Sequence, residues 1–318
     1  MPTDDGQAQA HVHEGDLLFT PSDDRVSASA LTAFAAEVRD RHGLEVGERD
    51  YEAIWRWSVT DLEGFWSTFA EWAGVPFRRP ADEILRLRAG VAEGAVWFDG
   101  AELNYVDAVR RHDPRSLAVV ALDESGGRQE LTYGELADLA ARVARSLRRL
   151  GVERGDRVAA VLPNGIAALA TFLATASLGA TWSACAPEFG APSMLDRFQQ
   201  IAPRVLVAAG SYRYGGRQFD LGDKIAALGA ALEGTAVTSF EELAADTRGD
   251  GDLEPEAVPF SHPLWILYSS GTTGLPKAIV QSHGGIVLEH LKALVLHGDL
   301  RAGSRFFWFS TTGWMMWN

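Results

Sequence analysis

Thirty consecutive residues, Val158 to Pro187, contain no Asp, Glu, Lys or Arg. A run this apolar is either buried on every side in a protein core or embedded in lipid. Its breaks decide between the two: Pro163–Asn164, Gly165, Gly179 and Pro187 divide it. The longest helical piece, about Ile166 to Leu178, is too short to span a bilayer core of about 30 Å. The stretch therefore predicts a buried strand, Val158 to Leu162, and a buried helix capped by Asn164 and ended by Gly179. The same alternation recurs around it. Leu117 to Leu122 and Gln129 to Leu131 read as strands about the turn Ser125–Gly126–Gly127. Thr132 and Glu135 form a capping box, and the helix behind it carries Leu136, Leu139, Ala140, Val143, Leu147 and Leu150 on one face before Gly151 stops it. A helix near Ser193–Ile201 leads into a strand at Val205 to Ala208. Repeated βα units predict an α/β fold, with largely parallel sheets flanked by helices.

The flanks read differently. Residues 1–30 are expected to be a loose tail, with His11 and His13 inside it. Residues 31–42 place Leu31, Phe34, Ala35 and Val38 on one helical face. Between 51 and 75 lie Trp55, Trp57, Phe65, Trp66, Phe69 and Trp72; the 65/69/72 spacing is helical and favours core over a ligand cage. Residues 241–259 are acidic, hold Pro255 and Pro259, and read as an exposed connection. The run from Arg305 to Asn318 is aromatic and apolar with nothing polar after it, so the chain is expected to be the N-terminal piece of a longer one.

The net charge of -14 argues against a nucleic-acid binder, and Arg145, Arg148 and Arg149 read as the solvated face of one helix. Cys185 is the single cysteine. It excludes an intrachain disulfide, suits a reducing cytosol, and has no base near it in sequence to make it a nucleophile. His283, His290 and His297 recur every seven residues, which spreads them about 10 Å apart along a helix and disfavours a shared metal. His283 reads instead as an orienting residue behind the segment described next.

Ser269 to Lys277 packs four hydroxyls, two glycines and a lysine into nine residues, directly after the apolar strand Leu264 to Leu267. Such a composition builds core poorly and holds phosphate well. Gly271 and Gly274 let the backbone approach an anion, successive N–H groups form a concavity for it, and Ser269, Ser270, Thr272 and Thr273 add short donors. Lys277 adds a mobile point charge. The segment is not a Walker A motif, which needs Gly-Lys-Ser/Thr opening a helix. Here Lys277 follows a proline and β-like residues follow it, so the segment is expected to join two strands.

The stretch Tyr268 to Lys277, YSSGTTGLPK, resembles the phosphate-loop signature of the acyl-adenylate-forming (AMP-binding) superfamily. Within it, FWFSTTGWMMWN at 307–318 and WFDGAELNY at 97–105 look most like the acetoacetyl-CoA synthetase group, with acetyl- and propionyl-CoA synthetases as neighbouring alternatives. The apolar Met315–Met316 pair favours the first. A non-catalytic nucleotide-binding module that kept the loop is the alternative from another class. The resemblance implies the N-terminal domain of an adenylate-forming enzyme, incomplete here, spanning 101–318 behind a small helical extension at 31–100. It implies ligation of acetoacetate to CoA with ATP and Mg2+, in the cytoplasm. Ser269, Ser270, Gly271, Thr272, Thr273, Gly274 and Lys277 would hold the ATP phosphates, with Lys277 and Thr272 acting in catalysis. Trp314, in Thr311–Trp314, would face the acyl group, with core packing an equal alternative. Arg217, in Tyr212–Arg217, would contact CoA; Tyr214 stands where that pattern has a second arginine, and a solvated loop is the alternative. No metal ligand is implied within these residues, nor is the lysine-bearing C-terminal domain.

Overall fold

The computed structural model of the chain describes residues 13–87, 94–246, 252–269 and 274–317. Four helices come first: α1 (Asp23–Ser27), α2 (Ala30–His42), α3 (Tyr51–Thr60) and α4 (Leu62–Trp72). Strands β1 (Glu83–Leu87), β2 (Ala95–Asp99) and β3 (Glu102–Leu103) precede α5 (Tyr105–Arg110), and β4 (Leu117–Leu122) and β5 (Arg128–Thr132) precede the long helix α6 (Tyr133–Arg149). Alternation then follows as β6 (Arg157–Val161), α7 (Ile166–Ser177), β7 (Thr181–Cys185), α8 (Ala191–Ile201) and β8 (Val205–Ala208). The rest comprises β9 (Ser211–Tyr214), β10 (Arg217–Asp220), α9 (Gly222–Ala231), β11 (Ala236–Thr238), α10 (Phe240–Ala244), β12 (Val258–Pro259), β13 (Pro263–Ser269), β14 (Lys277–Ser282) and α11 (His283–Leu291).

One six-stranded sheet organises the molecule, in the order β11-β8-β6-β7-β13-β14. All neighbours in it are parallel except β13 and β14, which are antiparallel. The apolar runs explain the burial. Val158 and Ala160 of β6 join the core under α6 and α7, whereas Ala159 and Val161 join the core under α8 and α9. Val205 and Val207 of β8 divide from Leu206 and Ala208 in the same way. This is the two-residue period of a strand covered on both faces, so no polar alternation is left to see. After β6 the chain moves one place along the sheet to β7, then crosses back over β6 to β8. The order thus reverses at β6, which leaves a crevice beyond the C-terminal ends of the strands.

Except for Trp55, which is 50% exposed, the dense aromatics belong to the core. Phe34 meets Phe65, Phe69 and Trp72 at ring-centroid distances of 5.9, 5.8 and 5.2 Å, and their cluster continues through Phe98 and Phe260 to Leu288 of α11. Within the stretch read as a loose tail, Ser22 caps α1 and Ser29 caps α2, and the Ala30 N–H donates to Asp299 Oδ1 at 2.9 Å. Residues 1–12, including His11, lie outside the described residues.

The capping box at α6 is present: Glu135 N–H donates to Thr132 Oγ1 and Thr132 N–H to Glu135 Oε2. Gly151, at φ +82°, turns the chain out of that helix. Three local readings are corrected. Asn164 does not cap α7, whose N-cap is Gly165 without a side-chain bond; its Oδ1 accepts from Trp317 Nε1 at 2.8 Å. The 241–259 stretch is not simply an exposed connection, because Leu253 and Val258 are buried and β12 pairs with β3. Nor is the arginine face of α6 all solvated. Arg149 pairs with Asp246, whose side chain is 1% exposed, and this pairing offsets the cost of burying the carboxylate.

Candidate phosphate-binding site

Strand β13 runs parallel to β7, so its last residue, Ser269, emerges at the C-terminal edge of the sheet. The chain returns as β14, with Lys277 opposite Ser269 in the antiparallel register. The strand–loop–strand expectation is met, and a helix starts only at His283. Gly274 sits at φ +138°, a conformation L side chains rarely adopt, and open space surrounds the place a Cβ would occupy. Ser270, Gly271, Thr272 and Thr273 lie outside the described residues. Thus the structure brings Ser269, Gly274 and Lys277 to one mouth at the sheet edge.

Helix α8 braces both stems of that mouth. Tyr268 Oη donates to the carbonyl of Arg197 at 2.8 Å, and Gln200 Nε2 donates to the carbonyl of Pro276 at 3.0 Å. The Arg197 guanidinium lies over the rings of Phe189 and Tyr268, 5.1 and 5.7 Å from their centroids, which holds a cation beside the entrance. Burial pushes the Tyr268 phenol up to about 12, so it stays a neutral donor. Ser183 Oγ donates to the Ile266 carbonyl and ties β7 to β13. Lys224 Nζ donates to the carbonyls of Pro187 and Phe189, both at 2.7 Å, and so shapes the turn after β7. Sequence reading missed Arg197, Gln200 and Lys224: each is an ordinary polar residue on its own helix, and only tertiary contact gives it a task.

The second segment singled out in the sequence reaches the same edge. Thr312 is buried, and its Oγ1 donates to the carbonyl of Leu162, just past the end of β6, at 2.6 Å. A Cβ on Gly313 would fall 2.7 Å from Ala186 N and 2.9 Å from Phe189 Cζ, so the backbone lies directly on the turn after β7. Met315 and Trp317 pack against the sheet core, whereas Trp314 is 55% exposed. Core packing accounts for the first two and not for Trp314. Phe306, Phe307, Trp308 and Phe309 are also exposed.

Arg217 opens β10, on a two-stranded ribbon with β9 rather than in the main sheet. Its guanidinium lies 5.7 Å from the Phe219 ring centroid, and its side of the ribbon also carries Tyr214. The ribbon follows β8, which β6 and β7 separate from β13. The solvated-loop alternative is thus replaced by a regular hairpin.

A family model described as AMP-binding enzyme matches residues 106–317. The chain belongs to that family. A second model, acetyl-coenzyme A synthetase N-terminus, matches residues 51–109. The chain is similar to an acetoacetyl-CoA synthetase of Gallus gallus, 34% identical over 337 residues that cover 98% of this chain and 50% of the relative. An acetoacetyl-coenzyme A synthetase of Rhizobium meliloti is 37% identical, with 95% of this chain and 48% of the relative covered. Among solved structures, an acetoacetyl-CoA synthetase from Streptomyces lividans superposes with a TM-score of 0.85 at 44% identity, covering 94% of this chain and 48% of that one. The chain spans about half the length of the curated relatives it matches.

In this member of the family His283 is wholly buried at the base of the β13–β14 pair rather than at its mouth. Its backbone N–H donates to the His262 carbonyl, and its Nδ1 accepts from the Tyr105 N–H at 3.1 Å. Burial, with a smaller push from His262, lowers its pKa to about 3, so the ring is neutral. His290 bonds the Tyr105 hydroxyl at 3.1 Å, and no group of three His, Cys, Asp or Glu converges as a metal site among the described residues. Burial pushes the Cys185 thiol up to about 12, which makes it a poor nucleophile. Among the described residues no helix is long and apolar enough to cross a membrane.

Proposed function

We propose that this chain serves an ATP-dependent acid–thiol ligase that converts acetoacetate, ATP and CoA to acetoacetyl-CoA, AMP and diphosphate in the cytoplasm. The observation that carries this reading is the hydroxyl- and glycine-rich segment leaving the C-terminal end of a parallel strand, with Thr311–Trp314 laid along the same sheet edge. A carboxylate oxygen attacks the α-phosphorus of ATP, and the bond to diphosphate breaks. The CoA sulfur then attacks the acyl carbonyl, and AMP leaves. The first step brings an anion to a polyanion, so charge neutralisation and alignment are its main demands. Ser269, Ser270, Thr272 and Thr273 donate hydroxyls, Gly271 and Gly274 present amides, and Lys277 places its ammonium on the phosphates. Thr272 and Lys277 carry the charge that builds as diphosphate departs. Trp314 lines the acyl side and excludes water from the adenylate, and Arg217 meets CoA.

Mg2+ would neutralise phosphate oxygens in such a reaction. The stretch 263–282 contains no Asp or Glu, so the loop itself would offer the ion no carboxylate. Residues 31–100 act as a helical extension to an adenylation domain that begins near 101. ATP–pyrophosphate exchange with acetoacetate, acetate, propionate and butyrate, measured on the complete enzyme, tests the reading. Exchange greatest with acetoacetate is expected. Exchange with none of the four acids overturns the ligase, and a preference for acetate or propionate overturns the acid.

A further inference from the structure

The β9–β10 ribbon turns through Gly215 and Gly216, at φ +59° and +74°. In so tight a turn the cross-strand ladder uses neither glycine amide, and both point outward. They are not idle. Gly215 N–H donates to Glu124 Oε1 at 2.9 Å and Gly216 N–H to Glu124 Oε2 at 2.8 Å, so one carboxylate is held across both. Glu124 belongs to the turn between β4 and β5, more than ninety residues away in sequence. Beside it, Arg213 Nη1 donates to Ser125 Oγ at 2.8 Å. Arg213 and Arg217 flank the turn from opposite faces of the ribbon.

Consecutive amides in a turn make an anion-binding concavity, and two arginines raise the local potential. The geometry is that of a small anion site filled by a side chain of the same chain. The surroundings let that occupant leave. Glu124 is exposed, so its carboxylate returns to water without a burial penalty. Apart from the adjoining residues of the chain, nothing lies within 4 Å of where a Cβ would stand on either glycine, so the turn is not packed against the rest of the molecule there.

We infer that Glu124 is a resident anion at the Gly215–Gly216 amides which a phosphate-bearing ligand displaces, so that Glu124 sets that ligand's affinity by competing with it. Applied to CoA, the inference rests on the reading of Arg217 given above. The competition itself rests only on the amides and Glu124. It makes binding weaker than the amides and arginines alone would give, and it keeps the turn pre-formed when no ligand is present.

The test compares the full chain with Glu124→Gln and Glu124→Ala. Calorimetry measures the affinity of CoA, inorganic pyrophosphate and pantetheine, and hydrogen exchange follows the peptide covering 211–220. Loss of two charge-assisted hydrogen bonds from the competitor predicts about tenfold tighter CoA and pyrophosphate binding in both variants. Pantetheine, which has no phosphate, gains nothing. The 211–220 amides exchange faster in the variants and slow again when CoA or pyrophosphate is added. Unchanged or weaker CoA and pyrophosphate binding in both variants overturns the inference and makes Glu124 a brace between hairpins. Arg217→Ala separates the two readings. If Arg217→Ala weakens CoA while the Glu124 variants bind no tighter, the Arg217 reading stands and the competition fails. If it leaves CoA unaffected while Glu124→Gln tightens pyrophosphate and protects the ribbon, the competition stands and the Arg217 reading fails.

Discussion

The β13–β14 and β9–β10 ribbons both set glycines beside a basic residue, yet only the first is part of the six-stranded sheet. Strand β13 is buried along most of its length and stitched to β7 by Ser183, and its stems are braced by Tyr268 and Gln200. The β9–β10 ribbon pairs only with itself, and a single carboxylate holds its turn. Stems set in a packed sheet are ordered by the core, which has already met the entropy cost of fixing them. A free ribbon lacks that support and relies on its turn residues.

This contrast can be broken at several strengths. The largest effect is expected at Trp265, which is 2% exposed in β13. Trp265→Ala should lower unfolding stability by about 3–5 kcal/mol, whereas Phe219→Ala on the free ribbon should cost under about 1 kcal/mol. Equal shifts in urea midpoint would erase the distinction. Next, Lys277→Ala in the complete enzyme should slow ATP–pyrophosphate exchange by about 10²-fold or more. Arg217→Ala should spare that exchange and raise the half-saturating CoA concentration. A collapse of exchange in the Arg217 variant would put both ribbons in one functional unit.

A smaller, pH-dependent effect belongs to His283. Its folded pKa of about 3 lies below its ordinary 6.5, so the unfolded chain binds a proton that the folded chain refuses. Stability is therefore unaffected by this group above about 6.5 and falls as pH drops from there toward about 3. His283→Gln should flatten that part of a stability–pH curve measured by denaturant titration; an unchanged slope would assign it to other groups. The smallest effect is expected at the free turn. Gly216→Ala places a side chain at φ +74° with nothing to strike, so the cost is conformational, about 1 kcal/mol.

The sheet was legible because its signal is local. An uncharged run with Pro and Gly breaks specifies buried strand, helix and strand without reference to anything distant, and the Thr132–Glu135 box marks a helix start within four residues. The loop was legible as a composition, and its two flanking strands followed from the residues on either side. What the sequence concealed depends on partners far away. Asn164 looks like a helix cap until Trp317, 153 residues later, takes its oxygen. Asp246 and Leu253 look solvated because their acidic neighbours dominate the stretch, while Arg149 and the α6 face bury them. Arg197 and Gln200 carry no local pattern, and they matter only because α8 crosses beside β13. The even division along 306–317, six residues exposed and six at least partly covered, was likewise beyond an apolar pattern, which marks residues fit for contact without saying which of them find it.

The contact at Gly313 restricts how this edge can be altered. Its missing side chain leaves room for the Ala186 amide, a backbone atom that cannot swing aside as a flexible side chain can. The exposed Trp314 can be varied freely, but a bulkier residue at 313 would lift the whole strip away from the strand ends. Recoding position 313 would therefore change the shape of the edge before it changed its chemistry.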